Sequence, residues 1–170
     1  LLQNLLEWAR TQTGKLNILT ESFDMSSIVN ENISILSSVA HNKDIKLRSN
    51  VPFNTLVIAD KNMIVTVVRN LISNAIKFTN QGGKIEITKT GMNGSVEICV
   101  ADNGVGITSK NLDKLFIIDQ HLQTKGTANE VGSGLGLILC KEFMEKNNGQ
   151  IRADSDPGKG SKFYISLPKG

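Results

Sequence analysis

Apolar positions along the chain follow two different spacings, one typical of helices and one typical of strands. Spacings of three and four residues predict helices, and alternation or short β-branched stretches predict strands. The predicted helices are 26–42, 61–79, 107–116 (short) and 135–147. The predicted strands are 45–48, 56–59, 84–90, 95–102, 150–155 and 161–167. Residues 117–133 show no period and predict a long loop.

The order of these elements limits the fold class. It is not a regular alternation of strand and helix, and the two late hairpins favour antiparallel pairing. We therefore expect an α/β two-layer sandwich, with a mixed, mostly antiparallel sheet covered on one face by three helices. A loop as long as 117–133 is unusual in a compact domain and is generally either a functional lid or disordered.

The first sixteen residues carry their own pattern. Leu2, Leu5, Ala9 and Leu16 form one apolar helical stripe, and Gly14 is a typical helix stop. Such a helix either docks on its own domain or ends a helical bundle that begins upstream. The polar stretch after Gly14 resembles a joint and favours the bundle. We therefore expect a boundary between 1–16 and 17–170 and, since the chain starts at Leu1, a larger parent protein.

Composition and charge exclude several function classes. The 19 basic and 16 acidic residues of the 170 are scattered and nearly balanced, which argues against nucleic-acid binding. Cys99 and Cys140 lack CxxC spacing, which argues against a disulfide framework or a structural metal site. No apolar run approaches the roughly 18 residues of a membrane span, and no signal peptide is recognisable. We expect a cytoplasmic setting without direct membrane contact.

The helix at 61–79 has an unusual polar stripe. Asn70, Asn74 and Lys77 lie within an arc of about 60°. The stripe could simply be the wet side of an amphipathic helix. However, asparagine is a poor helix former, and carbonyl oxygens beside an ammonium group suit Mg²⁺ and phosphate.

A second polar feature ends the strand at 95–102. Alternation places Asp102 on the inward face, where a carboxylate is unfavourable unless something satisfies it. Asp102-Asn103-Gly104 is also good turn chemistry, so a plain turn stays a possible interpretation. Gly104 and Gly106 permit a positive φ or a close approach to a ligand.

Two further glycine-rich segments follow. Gly132–Leu137 runs directly into a helix, where backbone N–H groups can hold an anion. A dinucleotide-binding fingerprint must follow a strand, and this segment does not. The Gly-Lys-Ser/Thr sequence of a Walker A loop is also absent. Gly158–Phe163 alone predicts only a hairpin turn.

In their order and spacing, these features resemble the ATP-binding domain of sensor histidine kinases, in the GHKL superfamily. The matching segments are Asn70–Thr79, Asp102–Ile107, Leu115–Phe116, Gly132–Leu137 and Gly158–Phe163. The resemblance covers about residues 17–168. Residues 1–16 look like the end of the dimerisation and histidine-phosphotransfer helix.

The resemblance implies ATP and Mg²⁺ as cofactors and gives each residue a role. Asp102 would accept the adenine amino group, and Asn74 would bind Mg²⁺. Asn70 and Lys77 would contact phosphate and, with Asn74, form the catalytic set. Backbone amides of Gly134, Leu135, Gly136 and Leu137 would hold the β- and γ-phosphates. The loop at 117–133 would be a flexible ATP lid. The other implied nucleotide contacts are Phe78, Gly104, Gly106, Ile107, Lys125, Gly126, Gly132, Ser133 and Ser161.

The implied reaction is transfer of the ATP γ-phosphoryl group to a histidine on a dimerisation domain. The implied partners are that phosphoacceptor helical domain, a response regulator receiver domain and, for the full-length protein, a second copy. Asn70 stands where hydrolytic relatives carry a water-activating Glu, so little hydrolysis is expected.

Two features depart from the family pattern. The usual second Phe of the lid anchor is missing near Asp119. His41 and His121 are not followed by an acidic residue, so neither matches the phosphoacceptor, and the chain alone is expected to bind ATP without autophosphorylation. The alternative is a binding module that holds ATP or ADP as a regulatory ligand, or docks a partner, without transfer.

Overall fold

The computed structural model describes residues 18–91, 94–117, 125–130 and 134–170. The helices of these residues are α1 (Met25–Asn42), α2 (Lys61–Phe78), α3 (Ser109–Leu112) and α4 (Gly136–Lys146). The strands are β1 (Thr20–Asp24), β2 (Lys46–Asn50), β3 (Leu56–Asp60), β4 (Lys84–Thr90), β5 (Ser95–Asp102), β6 (Gln150–Asp156) and β7 (Gly160–Pro168). Within the described residues, the predicted helices and strands are confirmed in type, and most boundaries agree within one or two residues.

The main sheet has five strands in the order β2-β4-β5-β7-β6. Its first pair, β2 and β4, is parallel, and the other three pairs are antiparallel. A separate two-stranded ribbon joins β1 and β3 antiparallel. The expected mixed, mostly antiparallel sheet is confirmed.

The core lies between this sheet and the helices. Ile87, Val100 and Phe163 occupy adjacent positions across β4, β5 and β7, and all three are buried. Leu71 of α2 and Leu139 of α4 are fully buried in the same cluster. Residues between the inward positions of the strands are more exposed, as expected for a sheet covered on one face.

The first strand is absent from the sequence-based prediction. Residues 20–24 were expected to be part of a polar joint, and only Phe23 of β1 is buried. Because its residues are mostly polar, β1 shows no apolar alternation that could be detected in the sequence. The strand is held instead by backbone pairing with β3, for example Ser22 opposite Ile58. The predicted helix at 1–16 lies outside the described residues.

Two smaller observations complete the fold. The predicted short helix at 107–116 is α3 followed by turns, and it spans only Ser109–Leu112. Among the described residues, no helix has the length and apolar character needed to cross a membrane.

Candidate functional site

The site is built around the polar face of α2. Leu71 and Ile72 of this helix are completely buried, whereas Asn70, Asn74 and Lys77 are half-buried. The Asp60 side chain caps the N-terminus by accepting from the Met63 N–H at 3.1 Å. The predicted stripe is therefore a half-buried band of polar groups and not a fully solvated surface.

Asn70 carries an unsatisfied hydrogen-bonding group. Its Nδ2 is buried without a hydrogen-bond partner, and a Cβ built on Gly136 would lie 3.4 Å from its Oδ1. Burial raises the pKa of the neighbouring Cys140 thiol to about 12, and the Asn70 side chain acts in the opposite direction. Because a thiol is only a weak acceptor, Cys140 does not satisfy the amide. A buried unpaired amide is unfavourable by about 1–3 kcal/mol, so this position suits a polar ligand.

Asp102 lies at the end of β5 on the inward face, as its parity predicts. It is opposite Ser161 of β7 and Ile85 of β4. Its Oδ1 accepts the Gly104 N–H at 2.8 Å and the Ser161 N–H at 3.3 Å. Burial raises the pKa of Asp102, and these two hydrogen bonds oppose that shift. Since a carboxylate can accept about four hydrogen bonds, Asp102 retains capacity for a ligand donor.

The structure gives a reason, which sequence analysis did not identify, why positions 104 and 106, shortly after Asp102, are occupied by glycine. A Cβ on Gly104 would overlap the Phe78 carbonyl oxygen, and one on Gly106 (φ +69°) would overlap the Asp156 carbonyl oxygen. The close approaches at Gly104 and Gly106 are therefore to the protein backbone. Val105 N–H donates to the Phe78 carbonyl at 3.1 Å, which fixes this loop against the end of α2.

Ser155 is a residue of this end of the site that sequence analysis missed. Its Oγ accepts the Ile107 N–H at 2.8 Å, donates to the Gly160 carbonyl at 2.8 Å and lies 3.0 Å from the Ser161 Oγ. The hydroxyl thereby ties the loop after β5 to the β6–β7 hairpin. Alternation along 150–155 gives a usable signal, because it places Ser155 on the inward face with Ile151 and Ala153.

An open cavity of about 500 Å³ lies at this end of the sheet. Asp102, Ser155 and Ser161 line it from the inward positions of the strands, and Asp154 and Lys162 from the outward positions. Its lining does not include Asn70 or Asn74. Of the predicted nucleotide contacts, the cavity lining thus contains Asp102 and Ser161, and it does not contain the predicted metal and phosphate contacts.

The start of α4 offers backbone donors. No side chain caps this helix at Leu135, its first turn has no acidic residue, and Gly134 has a φ of +72°. The first N–H groups of a helix have no intrahelical acceptor and favour an anion. Gly136 faces Asn70, which places this terminus beside the polar face of α2. Gly132 and Ser133 lie outside the described residues.

The C-terminal end of α2 meets residues 125–130. Lys77 Nζ lies 4.7 Å from the centroid of the Phe78 ring. Burial lowers the pKa of Lys77, and Glu130 acts in the opposite direction. Gly126 packs on Lys77, whereas Lys125 is exposed. Lys77, Phe78 and Gly126 are thus grouped, with Lys125 at the edge of the group.

Comparisons with known proteins agree with this arrangement. Residues 59–170 match the family model described as histidine kinase-, DNA gyrase B- and HSP90-like ATPase. The sensor-like histidine kinase SenX3 of Mycolicibacterium smegmatis is 31% identical over 99% of this chain and 44% of its own length. The adaptive-response sensory kinase SasA of Thermosynechococcus vestitus is 34% identical, again over 99% of this chain and 44% of its own length. The chain thus spans less than half the length of these relatives.

A solved structure supports the same assignment. The catalytic domain of histidine kinase ThkA superposes with a TM-score of 0.76 at 26% identity, covering 91% of this chain and 97% of that one. Because the family match includes the β3–α2 junction and all later elements, it contains every predicted site residue. The chain therefore belongs to the histidine kinase-, DNA gyrase B- and HSP90-like ATPase family, as an ATP-binding catalytic domain of the sensor histidine kinase type.

Proposed function

We propose that this domain binds Mg²⁺-ATP along the polar face of α2 and transfers the γ-phosphoryl group to a histidine on a helical domain. The observation that carries the proposal is the buried, unpaired Nδ2 of Asn70 beside the start of α4, where no side chain caps the helix. A buried polar side chain without a partner at the N-terminus of a helix is expected where a ligand completes the site.

In this proposal, the adenine lies at the Asp102 end. Its amino group donates to the Asp102 carboxylate, and the Ser155–Ser161 pair closes the floor. Guanine presents a carbonyl at the same position, so this carbonyl and the Asp102 carboxylate, both hydrogen-bond acceptors, would face each other. Such a mismatch leaves a buried charged group unpaired, so ATP is preferred over GTP by about tenfold or more.

The phosphates lie between Lys77 and the first amides of α4. Lys77 and the amides of Gly134–Leu137 neutralise their charge, and Asn70 supplies its unpaired amide donor. The Asn74 side-chain oxygen would hold Mg²⁺, which neutralises charge on the transferring group. Among the described residues, no cluster of three His, Cys, Asp or Glu side chains could hold a metal ion. The Mg²⁺ ligands in this proposal are therefore the side-chain oxygen of Asn74 and oxygens of the ATP phosphates.

Catalysis then consists of positioning and charge stabilisation. An amide at position 70 cannot take a proton from water at neutral pH, so transfer to a delivered imidazole is favoured over hydrolysis. The helical phosphoacceptor domain and a response regulator are the partners that this reaction needs, and the full-length protein is proposed to be a homodimer. One solved neighbour in fold is histidine kinase ThkA in complex with the response regulator TrrA. The expected cytoplasmic location stays a prediction.

The test is a transfer assay with labelled ATP. The chain is incubated with Mg²⁺ and a separately supplied helical domain that carries a histidine followed by an acidic residue. Label on that domain supports the proposal, and its loss in a variant lacking the histidine identifies the acceptor. Tight ATP binding without any transfer to several such domains would instead favour a regulatory binding module.

A further inference from the structure

A single ammonium group joins α1, α2 and residues 125–130. Lys43, directly after α1, donates through Nζ to the carbonyls of Ile76 (2.8 Å) and Lys77 (3.2 Å). The same Nζ donates to Thr127 Oγ1 at 2.7 Å and Glu130 Oε1 at 2.9 Å. The Lys43 side chain is only 13% exposed. Four acceptors thus share the three protons of one nearly buried cation.

Charge explains why a cation is needed at this place. The last carbonyls of α2 lack intrahelical donors and form the negative end of the helix dipole. Glu130 brings a carboxylate to the same end, and without Lys43 two negative groups would meet. Burial acts to raise the pKa of Glu130, but the hydrogen bonds from Lys43 and from backbone N–H groups outweigh it, so this pKa lies below its usual value.

Residues 125–130 are closed on themselves and docked on α2. Gly126 N–H donates to the Glu130 carbonyl at 2.9 Å, and Asn129 N–H donates to the Gly126 carbonyl at 3.0 Å. Ala128 N–H donates to Glu130 Oε2 at 2.8 Å. Thr127 N–H donates to the Lys77 carbonyl at 3.0 Å. The segment is therefore a compact turn seated on the residue that the proposed function assigns to phosphate.

The space between residues 125–130 and α2 is too small for a side chain at position 126. A Cβ on Gly126 would come 2.8 Å from the Lys77 carbonyl oxygen, besides meeting the Lys77 stem. Thr127 Oγ1 also donates to the Thr79 carbonyl at 2.8 Å. The turn therefore contacts the stem of Lys77 directly, and a movement of 125–130 away from α2 removes that contact.

We propose that Lys43 is a positioning residue of the nucleotide site, because through Thr127 and Glu130 it holds residues 125–130 against α2 and thereby fixes Lys77 for phosphate. The part that concerns nucleotide rests on the proposed function. The anchoring of 125–130 does not, since it depends only on contacts within the chain.

The first experiment measures amide hydrogen exchange in the nucleotide-free chain. Lys43→Met keeps the length of the side chain but removes the charge and the donors. Exchange at Gly126, Thr127 and Ala128 is expected to accelerate by about tenfold, the usual effect of losing hydrogen bonds to a charged group. Lys43→Arg, which keeps the charge, is expected to retain most of the protection.

Matched controls separate the anchor from general destabilisation. Glu130→Gln removes the carboxylate charge but leaves Lys43 on the α2 carbonyls, and it is expected to loosen 125–130 without accelerating exchange in the core of α2. Lys141→Met removes an exposed pair with Glu145 at 3.9 Å and is expected to change nothing in 125–130. Unchanged exchange in both Lys43→Met and Glu130→Gln would overturn the anchor.

The second experiment is calorimetric titration with Mg²⁺-ATP and with adenosine. Lys43→Met and Glu130→Gln are expected to weaken Mg²⁺-ATP binding by about fivefold to tenfold through Lys77. Adenosine, which has no phosphates, is expected to bind each variant as it binds the unchanged chain. Faster exchange with unaltered ATP affinity would overturn the positioning role and leave a purely structural contact. If the unchanged chain bound no ATP, the proposed function would fail, while the exchange result would still decide the anchor.

Discussion

Two regions that meet the C-terminal end of α2 are built in different ways. In one region, Asp102 is fixed by the register of β5 and β7 and by backbone N–H donors of Gly104 and Ser161. In the other region, residues 125–130 are fixed largely through side chains, above all Lys43, Thr127 and Glu130. The first arrangement moves only if the sheet moves, whereas the second can loosen alone.

This difference separates two kinds of control over one site. A sheet end provides a rigid position for a ligand group whose geometry must be constant, such as a heteroaromatic base. A turn held by a few side-chain contacts has a low local stability and can open without global unfolding. Substitutions at the sheet end should therefore change affinity or fold stability, whereas those at the turn should change local order and, only through Lys77, the affinity for Mg²⁺-ATP.

The largest expected effect lies on the polar face of α2, at Asn74. Asn74→Ala should slow Mg²⁺-dependent transfer to the helical domain by about 100-fold or more, because preorganised stabilisation of the transferring charge is lost. Affinity for ADP without Mg²⁺ should change little, and calorimetry measures it. The control is Ser73→Ala, at a neighbouring exposed position. An equal loss of transfer and of Mg²⁺-free ADP binding would contradict a metal role.

The rigidity of the sheet end can be tested with two glycines of one hairpin. Gly158 and Gly160 both have a positive φ, but a Cβ at 158 has nothing within 4 Å, whereas one at 160 would overlap the Asp102 carbonyl oxygen. Gly158→Ala should lower the free energy of unfolding by about 1 kcal/mol, from backbone strain alone. Gly160→Ala should lower it by about 2–3 kcal/mol, since the backbone at Asp102 must shift.

Denaturant titration of both variants gives this comparison directly. Gly160→Ala should also weaken ATP binding, because the displaced backbone carries Asp102. Equal destabilisation by the two substitutions would mean that the backbones of β5 and β7 yield easily, and the contrast with 125–130 would disappear.

Asp102→Asn tests the ligand role of the sheet end. The amide keeps an acceptor for the Gly104 and Ser161 N–H groups but loses the charge, so ATP affinity should fall by about tenfold. The preference for ATP over GTP should fall with it, as calorimetry with both nucleotides would show. Asp154→Asn is the control, since Asp154 lines the same cavity but pairs with Arg152 at 2.9 Å on the outward side. Full ATP affinity in Asp102→Asn would remove the base-binding assignment.

The smallest expected effect concerns pH and stability. Burial raises the pKa of Asp102 in the folded chain, so the folded state binds this proton more tightly than the unfolded state. Its stabilising contribution is present below the unfolded pKa and is lost as pH rises through the folded pKa. Asp102→Asn lacks this loss, so its stability relative to the unchanged chain should improve as pH rises through that window. If the free energies of unfolding of Asp102→Asn and of the unchanged chain varied with pH in the same way across this window, the result would argue against a raised pKa of Asp102.

Much of the fold was accessible from local pattern. The apolar spacing predicted α1, α2 and α4 closely, and alternation placed Asp102 on the inward face. Strand β1 was missed because its polar residues are held by backbone pairing with β3. The interpretation of Gly104 and Gly106 as ligand neighbours was incomplete, since backbone carbonyls distant in sequence fill the space beside them.

The site shows the same division. Asn70, Asn74 and Lys77 could be grouped from helical periodicity, because the residues of one helix face are set by local geometry alone. Strand alternation likewise offered a signal for Ser155, whereas Lys43 and Glu130 could not be assigned a role from local pattern. Lys43 lies 87 residues from Glu130 along the chain, and nothing in the local pattern indicates that they meet.

The sequence by itself determined the element types, the inward parity of Asp102 and the polar stripe of α2, since each depends on the period of a single helix or strand. Only the tertiary structure decided which groups were left unpaired, as at Asn70 Nδ2, and which cation joined α1 to 125–130. Hydrogen-bond satisfaction and ion pairing depend on distances between segments that are remote in sequence, and those distances exist only once the sheet and helices have packed.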